Sequence, residues 1–442
     1  MKQLTFLLII ISVTILWAQE KKQQDFATIP SRYGYEINRY PIVVFNSFID
    51  REGKDWAPFM YVAVQIQNDY LQFKLDENIF YSEYQVTITV RDDKQTFLSK
   101  TWPCRAELTD FDLTNSQRHF QYHSFVLDVK NEAVAELKPG KYEILILVHD
   151  MLSNRDYKNH RELVINENAF IDKKKYPHTD IAFFKGQQLN HEKPDSLSAT
   201  QDMLEFNTPY MAFTRFYVTG IDSLSGNVRL YKNQEGQKSL IVQDFVECKK
   251  NENGSIMLKY SLPFEKMDEG DYSLRFSLEA DSLVTEIERD FSILWFTKPL
   301  YLYKVDLAVR PLKYLMPPKE IEKIKELDLD ELRKWFDDYW KKMDPTPETV
   351  YNELQDEYYN RVTEAVRRYS TRFKEGWETD RGMVFLLYGE PNEIENRKYA
   401  ANSIPHIIWK YKKDENEQIF TFIDKNKTGE FTLLSQDPEK EK

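Results

Sequence analysis

Apolar and polar residues alternate in short stretches through the first third of the chain. Four clear examples are residues 60–67, 84–90, 123–129 and 142–149. β-Branched and aromatic residues at a period of two, separated by polar turns, are typical of antiparallel strands. Because about seven such strands in about 130 residues make one β-sandwich, we predict a first sandwich domain over residues 35–172.

A second alternating region follows and repeats a short motif of the first. Tyr142 lies two positions after Gly140, and Tyr272 lies two positions after Gly270. A glycine turn with a tyrosine at the start of the next strand is typical of immunoglobulin-like and fibronectin-like sandwiches, where the phenol bonds the backbone of the turn. We therefore predict a second antiparallel sandwich over residues 173–310.

After Pro317 the apolar period changes to three and four, which predicts helices, and we assign residues 311–375 to a helical connector. A long helix should begin with Thr346 as N-cap and Pro347 as its first residue, and end at Gly376. Its apolar positions are Val350, Leu354, Tyr358, Val362, Ala365, Tyr369 and Phe373. We interpret this aromatic stripe as core, since such stripes are more often core than ligand sites.

The end of the chain returns to strand patterns. Candidate strands are residues 383–388, 407–411, 418–423 and 430–434. Gly429 allows a hairpin turn because glycine adopts positive φ without strain. We predict an α+β module over residues 376–436, a small antiparallel sheet packed on the long helix, and a tail over 437–442. The fold class is thus multidomain and mostly β, with two tandem sandwiches, a helical connector and an α+β end.

The N-terminal residues predict export. Lys2 precedes an uncharged apolar run over residues 4–17, and Ala18 offers a small residue for cleavage. The run is shorter than the ~20 residues that a helix needs to cross a membrane. It is therefore typical of a signal peptide, residues 1–18, followed by a flexible stretch over 19–34. We expect a mature protein without a transmembrane segment, periplasmic, extracellular or associated with the cell envelope.

Composition narrows the function classes. The 442 residues include 60 basic and 72 acidic side chains, a net charge of −12, and the isoelectric point is about 5.3. Nucleic-acid binding favours basic surfaces, so this balance argues against it. Cys104 and Cys248 fall in different predicted domains, and we expect two separate buried thiols rather than a disulfide.

Two segments near the C-terminus carry a family resemblance. Residues 376–382 are GWETDRG and residues 388–394 are YGEPNEI. Together they resemble the signature of the bacterial GWxTD-domain proteins. Further similar segments are Trp340, residues 344–349, 352–353 and 357–362, and, in the first sandwich, residues 71–73, 84–88 and Trp102. The resemblance implies a bacterial, exported, multidomain protein of uncharacterised activity, so no catalytic residues carry over. Asn392 departs from it, since aspartate is expected there.

The GWETDRG segment allows a structural and a functional interpretation. In the structural one, Gly376 and Gly382 permit a turn, Trp377 anchors it, and Thr379, Asp380 and Arg381 bond to backbone and carboxylates nearby. In the functional one, an exposed patch of Trp377, Asp380 and Arg381 binds a partner or ligand. The candidate binding residues are Trp377, Thr379, Asp380, Arg381, Tyr388 and Asn392.

The sequence offers little support for catalysis or a cofactor. Acid/base catalysis by Glu378, Asp380, Glu390 and Glu393 would need two carboxylates across a cleft, which this turn-rich segment does not indicate. His119 and His123 are best interpreted as a surface pair. The chain has no H-E-x-x-H, C-x-x-C, G-x-G-x-x-G or G-x-S-x-G motif, so we predict no metal and no cofactor.

Three hypotheses of function follow. The first is a non-enzymatic envelope protein that binds or scaffolds other envelope components, with a protein or polysaccharide partner. The second is a hydrolase of cell-wall or extracellular polymer, with its carboxylates near the GWETDRG turn. The third is a carbohydrate-binding sandwich protein, which needs an exposed row of planar aromatic side chains.

Overall fold

The computed structural model of the chain describes residues 29–30, 36–37, 42–52, 57–116, 119–165, 177–186, 197–218, 220–252, 254–280, 283–398, 404–413 and 416–435. This part of the protein is mostly β, in several antiparallel sheets, with few helices. The chain folds as two units, Met1–Phe296 and Thr297–Lys442. The predicted signal peptide and the C-terminal tail lie outside the described residues.

The first part of the first unit consists mainly of strands. They are β1 (Ile29–Pro30), β2 (Glu36–Ile37), β3 (Val43–Glu52), β4 (Ala57–Gln67), β5 (Lys74–Asp76), β6 (Ile79–Arg91), β7 (Thr96–Leu108), β8 (Phe120–Asp128), β9 (Gly140–Asp150) and β10 (Arg155–Ile165), with short helices α1 (Phe111–Thr114) and α2 (Val129–Glu132). One sheet has the order β3-β4-β8, and another has β10-β9-β6-β5 with β7 also paired to β6. Both sheets contribute side chains to one hydrophobic core.

The second part of this unit also has two sheets. The strands are β11 (Ala182–Lys185), β12 (Met203–Glu205), β13 (Tyr210–Tyr217), β14 (Ser223–Gln234), β15 (Gln237–Lys249), β16 (Ser255–Ser261), β17 (Gly270–Ala280) and β18 (Leu283–Leu294). A three-stranded sheet has the order β11-β13-β16, and a five-stranded sheet has β12-β18-β17-β14-β15. Among the strands that the structure describes, β12 is the one that pairs in parallel, with β18.

The repeated glycine-tyrosine motif makes the predicted hydrogen bonds. The Tyr142 hydroxyl donates to the Lys138 carbonyl at 2.7 Å. The Tyr272 hydroxyl is within hydrogen-bond distance of the Asp268 carbonyl, at 3.0 Å, and of its carboxylate, at 2.7 Å. Each phenol thereby ties the turn to the strand that follows.

A buried ion pair joins the two three-stranded sheets of the first unit. Asp50 on β3 and Arg215 on β13 are 0% and 2% exposed, and their Oδ2 and Nε atoms are 2.9 Å apart. The Tyr217 hydroxyl donates to the other carboxylate oxygen at 2.8 Å. Phe48 lies beside this pair along β3 and packs edge-on against Phe213, with ring centroids 5.9 Å apart. The two sheets are thus joined by apolar contacts and by the Asp50–Arg215 ion pair.

The two cysteines are free and partly buried. Burial raises the pKa of both thiols to about 11, and the charge of Glu247 adds to the effect at Cys248. The prediction of two separate thiols is confirmed.

The second unit combines helices with the last sheet. The helices are α3 (Val305–Ala308), α4 (Pro318–Ile324), α5 (Leu329–Met343), α6 (Glu353–Tyr369) and α7 (Asp380–Tyr388), and the strands are β19 (Glu393–Arg397), β20 (His406–Lys413), β21 (Asn416–Ile423) and β22 (Thr432–Ser435), in that order in the sheet. Side chains of helices and strands form one core. The last three predicted strands are confirmed, and Gly429 has φ 85° in the hairpin turn.

The predicted start and end of the long helix were wrong. Helix α6 begins after Asn352, whose side chain accepts a hydrogen bond from the Gln355 amide at 2.9 Å, and this stronger N-cap displaces the one predicted at Thr346. The helix ends at Tyr369 rather than at Gly376. The apolar stripe predicted for this helix therefore contributes to the core only through its middle positions. The buried members are Tyr358, Val362, Ala365 and Tyr369, and the exposed ones are Val350, Leu354 and Phe373.

The strand predicted over residues 383–388 is instead part of helix α7. Val384, Phe385 and Leu386 are buried in succession. A helix that is buried on most sides has an uninterrupted apolar sequence, which a period-based argument does not distinguish from a buried strand. No helix among the described residues is long and apolar enough to cross a membrane.

We expect Asp50→Ala to destabilise the first unit by about 3–5 kcal/mol, because the Arg215 guanidinium would stay buried without its anion. Urea unfolding of the purified chain measures this loss. Glu83→Ala is the matched control, since Glu83 pairs with Arg105 at 2.9 Å on an exposed surface, where a pair contributes about 0–1 kcal/mol. Equal unfolding midpoints for the two variants would contradict the prediction.

Candidate functional site

The GWETDRG segment ends one helical element and begins another. Gly376–Glu378 form a single 3-10 turn, and Thr379 is the N-cap of α7. The Thr379 hydroxyl accepts a hydrogen bond from the Gly382 amide at 3.1 Å and donates to the Gly376 carbonyl at 2.7 Å. A threonine oxygen in this position satisfies an amide that the first turn of a helix leaves unpaired.

Gly376 and Gly382 are required by close backbone packing. A Cβ on Gly376 would lie 1.7 Å from the Ala365 carbonyl oxygen of α6, and one on Gly382 would lie 1.8 Å from the Gly376 carbonyl oxygen. Neither glycine has positive φ. We predicted that these glycines permit a turn, and Gly376 does lie in one, but the reason is close packing: the two glycines let α6, the 3-10 turn and α7 touch through their backbones.

Trp377 is buried, with 2% of its surface exposed. Its indole Nε1 donates to the Tyr301 hydroxyl at 2.8 Å and to the Glu375 carboxylate at 2.9 Å. The Tyr301 hydroxyl also bonds to the same carboxylate oxygen of Glu375. Trp377 thus anchors the segment, as the structural interpretation predicted, and the exposed Trp377 of the functional interpretation was wrong.

Two cations lie over the Trp377 ring. The Lys313 ammonium is 4.8 Å from the ring centroid, and the Arg310 guanidinium is 5.8 Å from it. Burial lowers the pKa of Lys313, an effect that the charge of Glu378 opposes. Burial, together with the charges of Glu378 and Asp380, raises the pKa of Tyr314 to about 12. A cation is attracted electrostatically to the face of an aromatic ring, so both residues help to hold Trp377 in place.

Asp380 and Arg381 connect the start of α7 to the rest of the unit. The Asp380 carboxylate accepts a hydrogen bond from the Leu433 amide of β22 at 2.7 Å. The Arg381 guanidinium lies between the Tyr369 and Phe431 rings, 5.2 and 5.0 Å from their centroids. Its burial lowers the pKa of Arg381. Stacking between two rings takes the place of the ion pair that we predicted for this arginine.

Tyr388 and Asn392 lie at the other end of α7. The Tyr388 ring contacts Phe420, with centroids 4.9 Å apart, and its hydroxyl accepts a bond from Gln418 at 3.3 Å. The Asn392 side-chain oxygen accepts a hydrogen bond from the Lys412 amide at 2.7 Å. An aspartate would offer the same acceptor, so asparagine at this position keeps the contact with β20.

Residues 290–437 match the family model described as the GWxTD domain. This chain is a GWxTD-domain-containing protein. The matched residues include the helices that we predicted as a connector, as well as the final sheet. The six candidate residues all lie in the GWxTD domain. Trp377 lies in the 3-10 turn, Thr379 caps α7, Asp380 and Arg381 begin α7, Tyr388 ends it, and Asn392 follows it.

Other comparisons add no information on function. No curated protein matches the chain. A crystal structure of red sea bream transglutaminase aligns with 58% of this chain at 11% sequence identity and a TM-score of 0.18. The alignment covers 32% of the transglutaminase chain. A TM-score this low carries no argument on fold or activity.

The four carboxylates considered for catalysis each have a separate partner within the GWxTD domain. Glu378 accepts a hydrogen bond from the Glu375 amide at 3.1 Å, and Asp380 is held by β22. Glu390 pairs with Arg368 at 2.7 Å, and Glu393 pairs with Lys410 at 3.0 Å.

His119 and His123, which we predicted as a pair, bond to different partners. His119 bonds to the Ser116 hydroxyl at 2.8 Å, and His123 bonds to the Tyr84 hydroxyl at 2.5 Å. Burial lowers the pKa of His123, so His123 is not the surface residue that we predicted. Across the described ranges, no group of three His, Cys, Asp or Glu side chains is placed to hold a metal ion.

The turn before GWETDRG presents Phe373, an aromatic side chain that we predicted to lie in the core. Phe373 is 86% exposed. Thr371 closes the turn, because its amide bonds to the Lys374 carbonyl at 3.0 Å and its hydroxyl accepts from the Lys374 amide at 3.0 Å. Ser370 joins the turn to the signature by accepting from the Gly376 amide at 2.9 Å. Only the position of Ser370 at the helix C-cap could have revealed this turn.

We expect Gly382→Ala to destabilise the GWxTD domain by about 3 kcal/mol or more, because its new methyl group would meet a carbonyl oxygen. Gly429→Ala is the matched control in the same unit. It has open space around the added Cβ, so it should cost only the left-handed strain of about 1–2 kcal/mol. Urea unfolding followed by tryptophan fluorescence compares the two, and a smaller loss for Gly382→Ala would contradict the packing argument.

Proposed function

We propose that this GWxTD-domain-containing protein is a non-enzymatic, exported cell-envelope protein that binds or scaffolds other envelope components. One observation carries the proposal: the polar side chains of the signature are engaged within the fold. Thr379 caps α7, Asp380 bonds to β22 and Asn392 bonds to β20. Bonds of this kind to backbone position α7 against the final sheet, which is a structural task.

The braced turn with Phe373 is the binding surface that we propose for the domain. Arg372 and Lys374 flank the ring, and Lys374 is held by Glu430 at 2.6 Å. The turn is already ordered by its own hydrogen bonds, so little conformational entropy is lost when a partner covers the ring. Aromatic residues, including phenylalanine, and arginine are enriched in protein interfaces.

Two further features support the finer parts of the proposal. The Tyr142 and Tyr272 hydrogen bonds support two tandem immunoglobulin-like or fibronectin-like sandwiches in the first unit. Lys2, the apolar run over residues 4–17 and Ala18 support export through a signal peptide. A bacterial origin rests on the family resemblance.

The other two hypotheses have less support. A hydrolase needs two carboxylates that converge on a substrate, whereas those near the signature have separate partners. A carbohydrate-binding face needs aromatic side chains in a row. The most exposed aromatic residues described in the first unit, Phe111, Tyr122 and Phe245, lie on α1, β8 and β15 respectively.

The test is cross-linking and co-purification from the native cell envelope, with the full chain as bait. We expect Phe373→Ser to reduce the recovered partner at least about tenfold, the effect of losing one hot spot. Val134→Ser is the matched control, because it removes an exposed apolar side chain in the first unit. Circular dichroism establishes that both variants remain folded.

An unchanged partner list for Phe373→Ser would contradict the role of this turn. Release of soluble fragments from envelope polymer by the purified wild-type chain would contradict the non-enzymatic part of the proposal. The two results are distinguishable because the first concerns retention of a partner and the second concerns turnover.

A further inference from the structure

Strand β15, Gln237–Lys249, forms one edge of the five-stranded sheet of the first unit. Among the described residues it pairs along one side only, with β14. The backbone amides and carbonyls on its other side thus form an open edge. Most of its side chains are exposed, including Leu240 at 53% and Phe245 at 71%. A long edge with exposed apolar residues is a template for pairing with another strand.

The side chains of β15 divide between two faces. The Arg229 guanidinium of β14 donates to the Gln243 side chain at 2.9 Å, which places Gln243 on the outer face. The Asp244 carboxylate accepts a hydrogen bond from the Tyr260 hydroxyl of β16 at 2.6 Å. Asp244 therefore lies on the inner face, the one toward the three-stranded sheet, and the opposite face is the outer face. Leu230, opposite Val242, is fully buried, so Val242 also lies on the inner face.

A shift in register sets which residues share the outer face. The ladder pairs Leu230 with Val242 but Tyr231 with Leu240, so Ile241 is an extra residue. Leu240 and Gln243 consequently lie on the same face although they are three positions apart. The outer face of β15 carries Lys238, Leu240, Gln243, Phe245 and Glu247.

This outer face is complementary to itself. Two copies of β15 can pair in antiparallel orientation about a two-fold axis that is perpendicular to the sheet and passes between their Gln243 residues. This axis leaves the outer-face residues of both copies on the same face of the joined sheet. With Ile241 left out of the ladder, Leu240 of one copy lies opposite Phe245 of the other. Lys238 lies opposite Glu247 in the same register. Because the two-fold axis repeats each contact, the dimer contains two Leu240–Phe245 pairs and two Lys238–Glu247 pairs.

We propose that two copies of this chain pair edge to edge through β15 and join their five-stranded sheets into one. Apolar and oppositely charged residues that face each other across strands stabilise a pairing, whereas like charges destabilise it. The register around Gln243 meets both conditions at once. The occupant of the edge is therefore a second copy of the chain, and the contact is isologous. This inference does not depend on the role proposed for Phe373.

Cysteine cross-linking tests the register. Gln243→Cys is made in the full chain with Cys104→Ser and Cys248→Ser, so that the introduced thiol is the single one. Residues directly opposite in an antiparallel pair have Cβ atoms about 4.5–5.5 Å apart, close to what a disulfide needs. We expect mild oxidation to give a covalent dimer. Glu279→Cys, on the exposed surface of the central strand β17, is the matched control and should give no covalent dimer.

Charge reversal tests the contact without cross-linking. We expect Glu247→Lys and Lys238→Glu each to raise the dimer dissociation constant at least about tenfold, measured by analytical ultracentrifugation, since each places like charges opposite each other. The double variant restores opposite charges across the axis and should recover most of the affinity. Lys238 also pairs with Glu288 within its own chain, so recovery in the double variant is the decisive comparison.

Three results would overturn the proposal. One is a wild-type chain that stays monomeric up to the highest soluble concentration. Another is equal cross-linking of the Gln243→Cys and Glu279→Cys chains. The third is a dimer whose dissociation constant is unaffected by either charge reversal.

Discussion

Direct contact between backbones is the constraint on which the GWxTD domain depends. Helix α6 meets the 3-10 turn at Gly376, and that turn meets α7 at Gly382, with no room for a Cβ at either position. This approach fixes where Trp377 enters the core and lets its indole reach Tyr301 and Glu375. It also brings Thr379 into position to cap α7. The spacing of residues in the signature thus follows from this packing: the glycines make the contacts, Trp377 anchors the turn and Thr379 caps α7.

The sequence predicted the elements that bury one face and expose the other. Strands such as β6 and β9 bury alternate residues, so their period of two is visible in the sequence, and the tyrosines after Gly140 and Gly270 make the expected bonds. Helix α7 was missed because it is buried on most sides and shows no period. The N-cap at Thr379 was the one local signal for it. The end of α6 was missed because the apolar stripe continues to Phe373, although that residue lies on a turn that Ser370 and Thr371 close.

Contacts between distant residues could not be predicted from a single sequence. Tyr301 and Trp377 are 76 positions apart, and Asp50 and Arg215 are further apart still. Tyr301, Asp50 and Arg215 look unremarkable in their own segments, and the signature that marks Trp377 does not name its partner. Their pairing follows from a physical rule that acts only after folding, since a buried charge or donor needs a partner in a medium that water does not reach. The candidate residues were thus found by their pattern, and their partners only by the fold.

The same rule directs where binding should be sought in this protein. In the GWxTD signature, Trp377, Thr379 and Asp380 bond to groups within the fold, and the Arg381 guanidinium is stacked between two rings. The exposed group that we propose for binding is the Phe373 ring on the preceding turn. Along β15 the situation is reversed, because backbone amides and carbonyls of an edge strand remain open beside apolar side chains. Backbone groups that a fold leaves unpaired are satisfied by water or by another chain. A distinctive sequence motif and a surface able to bind are therefore separate features. In this chain the motif has more of its polar groups bonded within the fold than the edge of β15 has.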